Sequence, residues 1–176
     1  MKLNILNLFI IIVFTFGVTS CSNVKSYNDL YTSFFVGEDG TQFFIKPLEF
    51  FHLENDAKLD LDITFRYKDT IKDSVTVNLT LYSTTFLKNI DFVEMIGEKQ
   101  RIKSNNIKLI YIDKNTDLCE NRYSVKFLLK DYLNIFQENN FSMNVNYLNY
   151  DNIYLPDNSS NKKIRILNEN LINLFN

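Results

Sequence analysis

The sequence predicts a mainly β fold, an antiparallel sandwich of two sheets, and three observations carry that reading. Apolar and polar residues alternate with period two in several separate segments, as in Leu59, Leu61, Ile63, Phe65 and Tyr67 against Asp60, Asp62, Thr64 and Arg66. The segments are short, and polar or Asn-rich stretches divide them. Only two stretches break the alternation with helical spacing.

Residues 31–36 and 42–53 read as strands joined by Gly37-Glu38-Asp39-Gly40, a hairpin turn whose final glycine accepts a positive φ. Pro47 interrupts the second run and marks an edge, a bend or two separate strands. Residues 59–67 and 75–81 should pair as a hairpin across the polar stretch between them. Further strands are expected at 90–96, 107–113, 123–129 and 141–148. Asn55-Asp56, Asn105-Asn106 and Asn139-Asn140 should turn the chain where glycine is lacking, because Asn and Asp tolerate the left-handed region best. Residues 131–138 predict a short connecting helix capped by Asp131, with Tyr132, Leu133 and Phe136 on one face.

Ile164, Leu167, Leu171 and Leu174 then step by 3, 4 and 3 from Ser159-Ser160 and predict a C-terminal helix. Lys162, Lys163 and Arg165 oppose its dipole, which leaves a strand over 162–167 as the alternative. Roughly eight or nine strands of this kind suggest a sandwich of immunoglobulin-like shape, although the Cys, Trp and Cys pattern of that family is absent. A partly closed barrel is the second architecture that fits.

The first twenty residues stand apart from the domain. Lys2 precedes an apolar run over residues 8–18, too short for the roughly 20 residues of a spanning helix and matched to the core of a signal peptide. Val18-Thr19-Ser20-Cys21 closes the run. This tetrapeptide resembles the lipobox of bacterial lipoproteins: an aliphatic residue, a small residue just before the cleavage point, then an obligatory Cys. The resemblance covers residues 1–21 only. It implies that residues 1–20 are removed, that the Cys21 thiol takes a diacylglycerol and the new amino terminus a further acyl chain, and that attachment to the membrane is stable. Residues 21–30 would then be a lipidated tether, followed by a single domain over 31–176. Ser22, in place of an Asp after the Cys, favours the outer membrane by the same resemblance, with the domain facing the periplasm or the cell surface.

Acylation of Cys21 would leave Cys119 without a partner, so no disulfide forms within the chain; an unmodified Cys21 would instead permit a bridge between the two. Asp117 and Glu120 disfavour a thiolate at Cys119, which reads as a small buried hydrophobe. With Lys2 gone, 18 of the 19 Lys and Arg remain against 21 Asp and Glu, a balance that argues against a nucleic-acid surface.

His52 is the only histidine, so no His-based metal cluster can be built and no metal or cofactor is expected. Glu54 would share its face on a continuous strand and could form an acid/base pair. Chance produces such pairs often, no nucleophile elbow or phosphate loop occurs, and no catalytic residue is assigned. Asp60 and Asp62, about 7 Å apart on one strand face, supply too few oxygens for calcium and read as a solvated surface. Tyr147, Tyr150, Tyr154 and the Phe pairs at 34–35, 43–44 and 50–51 read mainly as core, with an aromatic patch for a glycan or protein as the alternative. Asp69-Thr70-Ile71 and Asp73-Ser74-Val75 resemble the periplasmic O-glycosylation sequon of Bacteroidota, which makes Thr70 and Ser74 candidate sites. The function that fits is a non-catalytic, lipid-anchored interaction or scaffold module of the bacterial envelope, held to the membrane through Cys21 and facing a protein partner. A surface adhesin or ligand-binding lipoprotein is the alternative.

Overall fold

Residues that alternate in the sequence become strands because one row of side chains can be buried while the other stays in water. The computed structural model describes residues 30–67, 74–115 and 118–175. Cys21, the leader, most of the tether and Thr70 lie outside the described residues. The strands are β1 (Tyr31–Phe35), β2 (Thr41–His52), β3 (Lys58–Tyr67), β4 (Ser74–Ser83), β5 (Phe92–Ile96), β6 (Arg101–Ser104), β7 (Ile107–Asn115), β8 (Leu118–Leu128), β9 (Ser142–Tyr147) and β10 (Tyr150–Pro156). Two helices, α1 (Leu129–Phe136) and α2 (Asn158–Asn170), precede a 3-10 turn at Ile172–Phe175.

All ten strands belong to one sheet of order β6-β5-β9-β10-β2-β3-β4-β8-β7, with β1 paired to the first half of β2. The fold is mainly β, as the alternation requires, but the two-sheet immunoglobulin-like sandwich is corrected: the hydrogen-bonded path is unbroken, and the sheet curls into a nearly closed barrel. The curl has local causes. At Lys46-Pro47 the register of β2 against β3 shifts, because proline cannot donate to the ladder and the strand bulges there. A second bulge falls between Leu109 and Tyr111 in β7. At the closing seam, the Ser104 hydroxyl of β6 donates to the Lys126 carbonyl of β8 at 2.7 Å, and the Lys126 N–H reaches the Asn106 carbonyl at 3.4 Å.

One continuous core fills the concave side. Leu59, Leu61, Ile63 and Phe65 of β3 and Val75, Val77, Leu79 and Leu81 of β4 all point inward, and each contributes roughly 1.5–3 kcal/mol by leaving water. From α1, Tyr132 packs on Phe127, and Phe136 on Phe141, which touches Phe50. Helix α2 adds Ile164 and Leu167, and Phe175 closes one end against Phe43, Phe65 and Tyr67.

The helices differ from their expected ends. Asp131 lies inside the first turn of α1, and Leu128 occupies the cap position without a side-chain bond. Helix α2 is capped by Asp157, whose side chain accepts the Ser160 N–H at 2.6 Å. Leu171 ends that helix, and Leu174, 70% exposed, leaves the apolar face. Strands β6 and β10 lie outside the segments that alternation marks: β6 is four residues long, and Tyr150–Pro156 alternates weakly. Among the Asn pairs only Asn139 takes a positive φ, while Leu148 and Asn149 make the β9–β10 turn in that region. Gly40 does so as expected, with φ of 87°.

Candidate functional site

Register assembles the most ligand-like feature of the surface. Phe51 of β2 faces Lys58 of β3, Lys58 faces Tyr82 of β4, and Tyr82 faces Glu120 of β8, so one outward row crosses four adjacent strands. Phe51, Lys58 and Tyr82 of that row, with the Asn55–Ala57 turn, Ser83, Thr84 and Leu118, line an open groove of about 700 Å³ at one end of the barrel. Phe51 and Leu118 are 42% and 46% exposed, an apolar floor without a partner among the described residues.

The neighbouring row explains why the polar members of the groove are fixed. Glu49, Asp60, Thr80 and Arg122 face one another in sequence across the same strands. Glu49 opposite Asp60 would repel, and the Lys58 ammonium answers both, at 3.3 Å from Glu49 and 3.2 Å from Asp60. The Tyr82 hydroxyl donates to Asp60 at 3.1 Å, and Lys58 lies 5.6 Å from the centre of the Tyr82 ring. Burial and the Asp60 carboxylate push the Tyr82 phenol up to about 12. Burial draws the Lys58 ammonium down, but the bonds to Asp60 and Glu49 outweigh it and hold the group above its ordinary value.

Arg122 pairs with Asp62 and donates to the Thr80 hydroxyl at 2.7 Å. The two aspartates expected on a solvated face are therefore half-buried and occupied by cations; an ion-pair ladder replaces that reading. Among the described residues no group of three or more His, Cys, Asp or Glu is placed to hold a metal ion.

His52 and Glu54 do not form the carboxylate–imidazole pair considered from the sequence. Strand β2 ends at His52, Glu54 lies in the following bend, and it is the Glu54 backbone N–H that donates to His52 Nδ1 at 3.1 Å. The imidazole ring meets Tyr154 edge-on at 5.3 Å. Cys119 is buried on the inner face of β8, as a small hydrophobe would be, with no cysteine partner among the described residues. Ser74 opens β4, half-buried and paired with Leu128. The Phe pairs at 43–44 and 50–51 split across the sheet: Phe50 is buried and Phe51 lines the groove. Tyr147, Tyr150 and Tyr154 form no patch, since Tyr154 is buried and Tyr150 exposed.

One residue without a sequence signal organises the rim of the groove. Asn121, wholly buried on β8, accepts the Leu87 N–H at 2.8 Å and donates to Ser83 Oγ at 3.0 Å and to the Leu81 carbonyl at 3.3 Å. Tyr123 donates to the Leu87 carbonyl. Together they fix the start of the long connection from β4 to β5, and with it Ser83 and Thr84 at the groove. Comparison of the chain with family models, with curated proteins and with solved structures returned no match.

Proposed function

We propose that this chain is a lipid-anchored, non-catalytic interaction module of the bacterial cell envelope, with the leader removed, Cys21 acylated and the barrel presented on a short tether. The observation that carries the reading is Val18-Thr19-Ser20-Cys21 at the end of a short apolar run. The groove supports the interaction half of it. Lys58 and Tyr82, its two groups with raised pKa values, are each held by Asp60 and are poorly suited to proton transfer at neutral pH. Phe51 and Leu118 offer apolar area beside fixed polar groups, the composition of a recognition surface. Asp56 and Lys58 are the charged residues among its lining, and Lys58 is already paired with Glu49 and Asp60, so a largely apolar, uncharged partner segment fits best.

Labelling with a fatty-acid probe tests the anchor. The wild-type chain should carry label and stay with membranes, and Cys21→Ser should lose both. Label retained in the variant would refute the proposal. The groove also favours the ligand-binding alternative, and protease shaving of intact cells separates the two, because a periplasm-facing domain is protected.

A further inference from the structure

The end of the barrel opposite the groove carries exposed aromatics, beside the acidic Glu38-Asp39 turn, together with a basic cleft. The β1–β2 hairpin exposes Phe34, Phe35, Val36 and Phe44, with Phe35 80% exposed and the Phe34 and Phe44 rings edge to face at 5.8 Å. None of Phe34, Phe35 and Phe44, which flank the hairpin turn, belongs to the buried core. At the same end, where β4 begins and β8 finishes, the seam between β6 and β8 opens into a cleft of about 500 Å³. Arg101 and Lys103 line one bank and Lys126 the other, with Asp131 the one acid among its lining residues. All three cations are exposed; the Lys103 ammonium lies over the Phe92 ring of β5, 3.4 Å from its centre, and Arg101 and Lys126 face each other across the cleft.

We propose that this end docks on an anionic phospholipid bilayer, the hairpin aromatics entering the interface and the cleft receiving a headgroup phosphate. Apolar burial and attraction to anionic lipid act together in peripheral attachment, and neither a protein groove nor a soluble anion explains both features at one end. The chain outside the described residues supports the bilayer as occupant, and here the inference rests on the proposed acylation of Cys21. Eight residues lie between Cys21 and Leu30, nine steps that reach at most about 30 Å, while β1 is roughly 17 Å long, so an anchored tether allows the tip to meet the membrane. The groove, near the far end of β2, would then point away from the lipid.

The chain contains no Trp, so Phe35→Trp installs a single emission reporter, and Leu53→Trp, at a position 60% exposed at the other end, serves as its control. The full chain is reconstituted into phosphatidylglycerol vesicles with brominated acyl chains. The Phe35→Trp emission should shift to the blue and lose more than half its intensity, and the Leu53→Trp emission should keep both. Arg101→Gln with Lys126→Gln should weaken the quenching roughly tenfold in phosphatidylglycerol and leave phosphatidylcholine vesicles unaffected. Equal quenching at both positions, no quenching at Phe35→Trp, or indifference to the charge variants would overturn the proposal. So would a blue shift that follows protein density instead of bromine, because a second copy would then cover the hairpin. The mass of Cys21 in the same sample separates this failure from failure of the anchor: an unquenched reporter on an acylated chain sinks the docking alone, and quenching on an unacylated chain sinks the anchor alone.

Discussion

Asn121 is a buried amide that replaces the ladder hydrogen bonds a loop lacks, and the energetics of such a group are asymmetric. Asn121→Ala removes the acceptor for the buried Leu87 N–H and leaves it without water or protein. The variant should lose about 2–4 kcal/mol in urea unfolding, and a loss under about 0.5 kcal/mol would show that the loop repacks. Gly97 is a second case in which a small residue serves a distant one. The Glu138 carboxylate accepts from the Glu98 and Lys99 N–H groups of the β5–β6 turn, and a Cβ on Gly97 would overlap it. Gly97→Ala should cost about 1 kcal/mol in the wild-type background and close to nothing beside Glu138→Ala, a coupling that a double-mutant cycle measures.

The Asp157 carboxyl gives a pH dependence with a definite sign. Burial pushes it up, but hydrogen bonds from Ser160 and Ser159 outweigh that and hold it below the ordinary carboxylate range. Its folded value lies under its unfolded one, so its contribution is complete above about pH 4 and is lost as the pH falls through the folded value. Asp157→Asn keeps a capping oxygen without the titration. The stability difference between the two chains should be present at pH 6 and shrink toward pH 2, as chemical unfolding at each pH would record.

Between elements, Asn168 of α2 donates to the Phe136 carbonyl at the end of α1 and to Asn139 Oδ1, each at 2.6 Å. Asn168→Leu should leave the sheet intact and speed amide exchange over residues 129–139, and unchanged exchange there would deny the link. This long-range bond illustrates what the sequence could not reveal. Strands β3 and β4 were legible because every second residue from Leu59 to Phe65 and from Val75 to Leu81 is buried, a purely local pattern. The sandwich expectation failed because closure depends on pairs far apart in sequence, such as Ser104 with Lys126, and on how a bulge at Pro47 bends its strand. Of the candidate site, the Asp60 and Asp62 face was visible, but its partners Lys58, Tyr82 and Arg122 follow from register, which alternation alone does not fix.

At the scale of the molecule, the strands give a polarity to the barrel. Strand β2 runs from the exposed aromatic hairpin to the groove, about 35 Å of extended chain with Phe44 near one end and Phe51 near the other. The two proposals together describe a tethered particle with one end toward the lipid and the groove at the other. The proposed anchoring depends on a covalent attachment at one sulfur. Intact mass spectrometry of the protein extracted from its native membrane is the most direct test: the chain should begin at Cys21 and carry a diacylglyceryl group on Sγ with an acylated amino terminus. A bare thiol at Cys21, or a mature chain that starts at any other residue, would contradict the account.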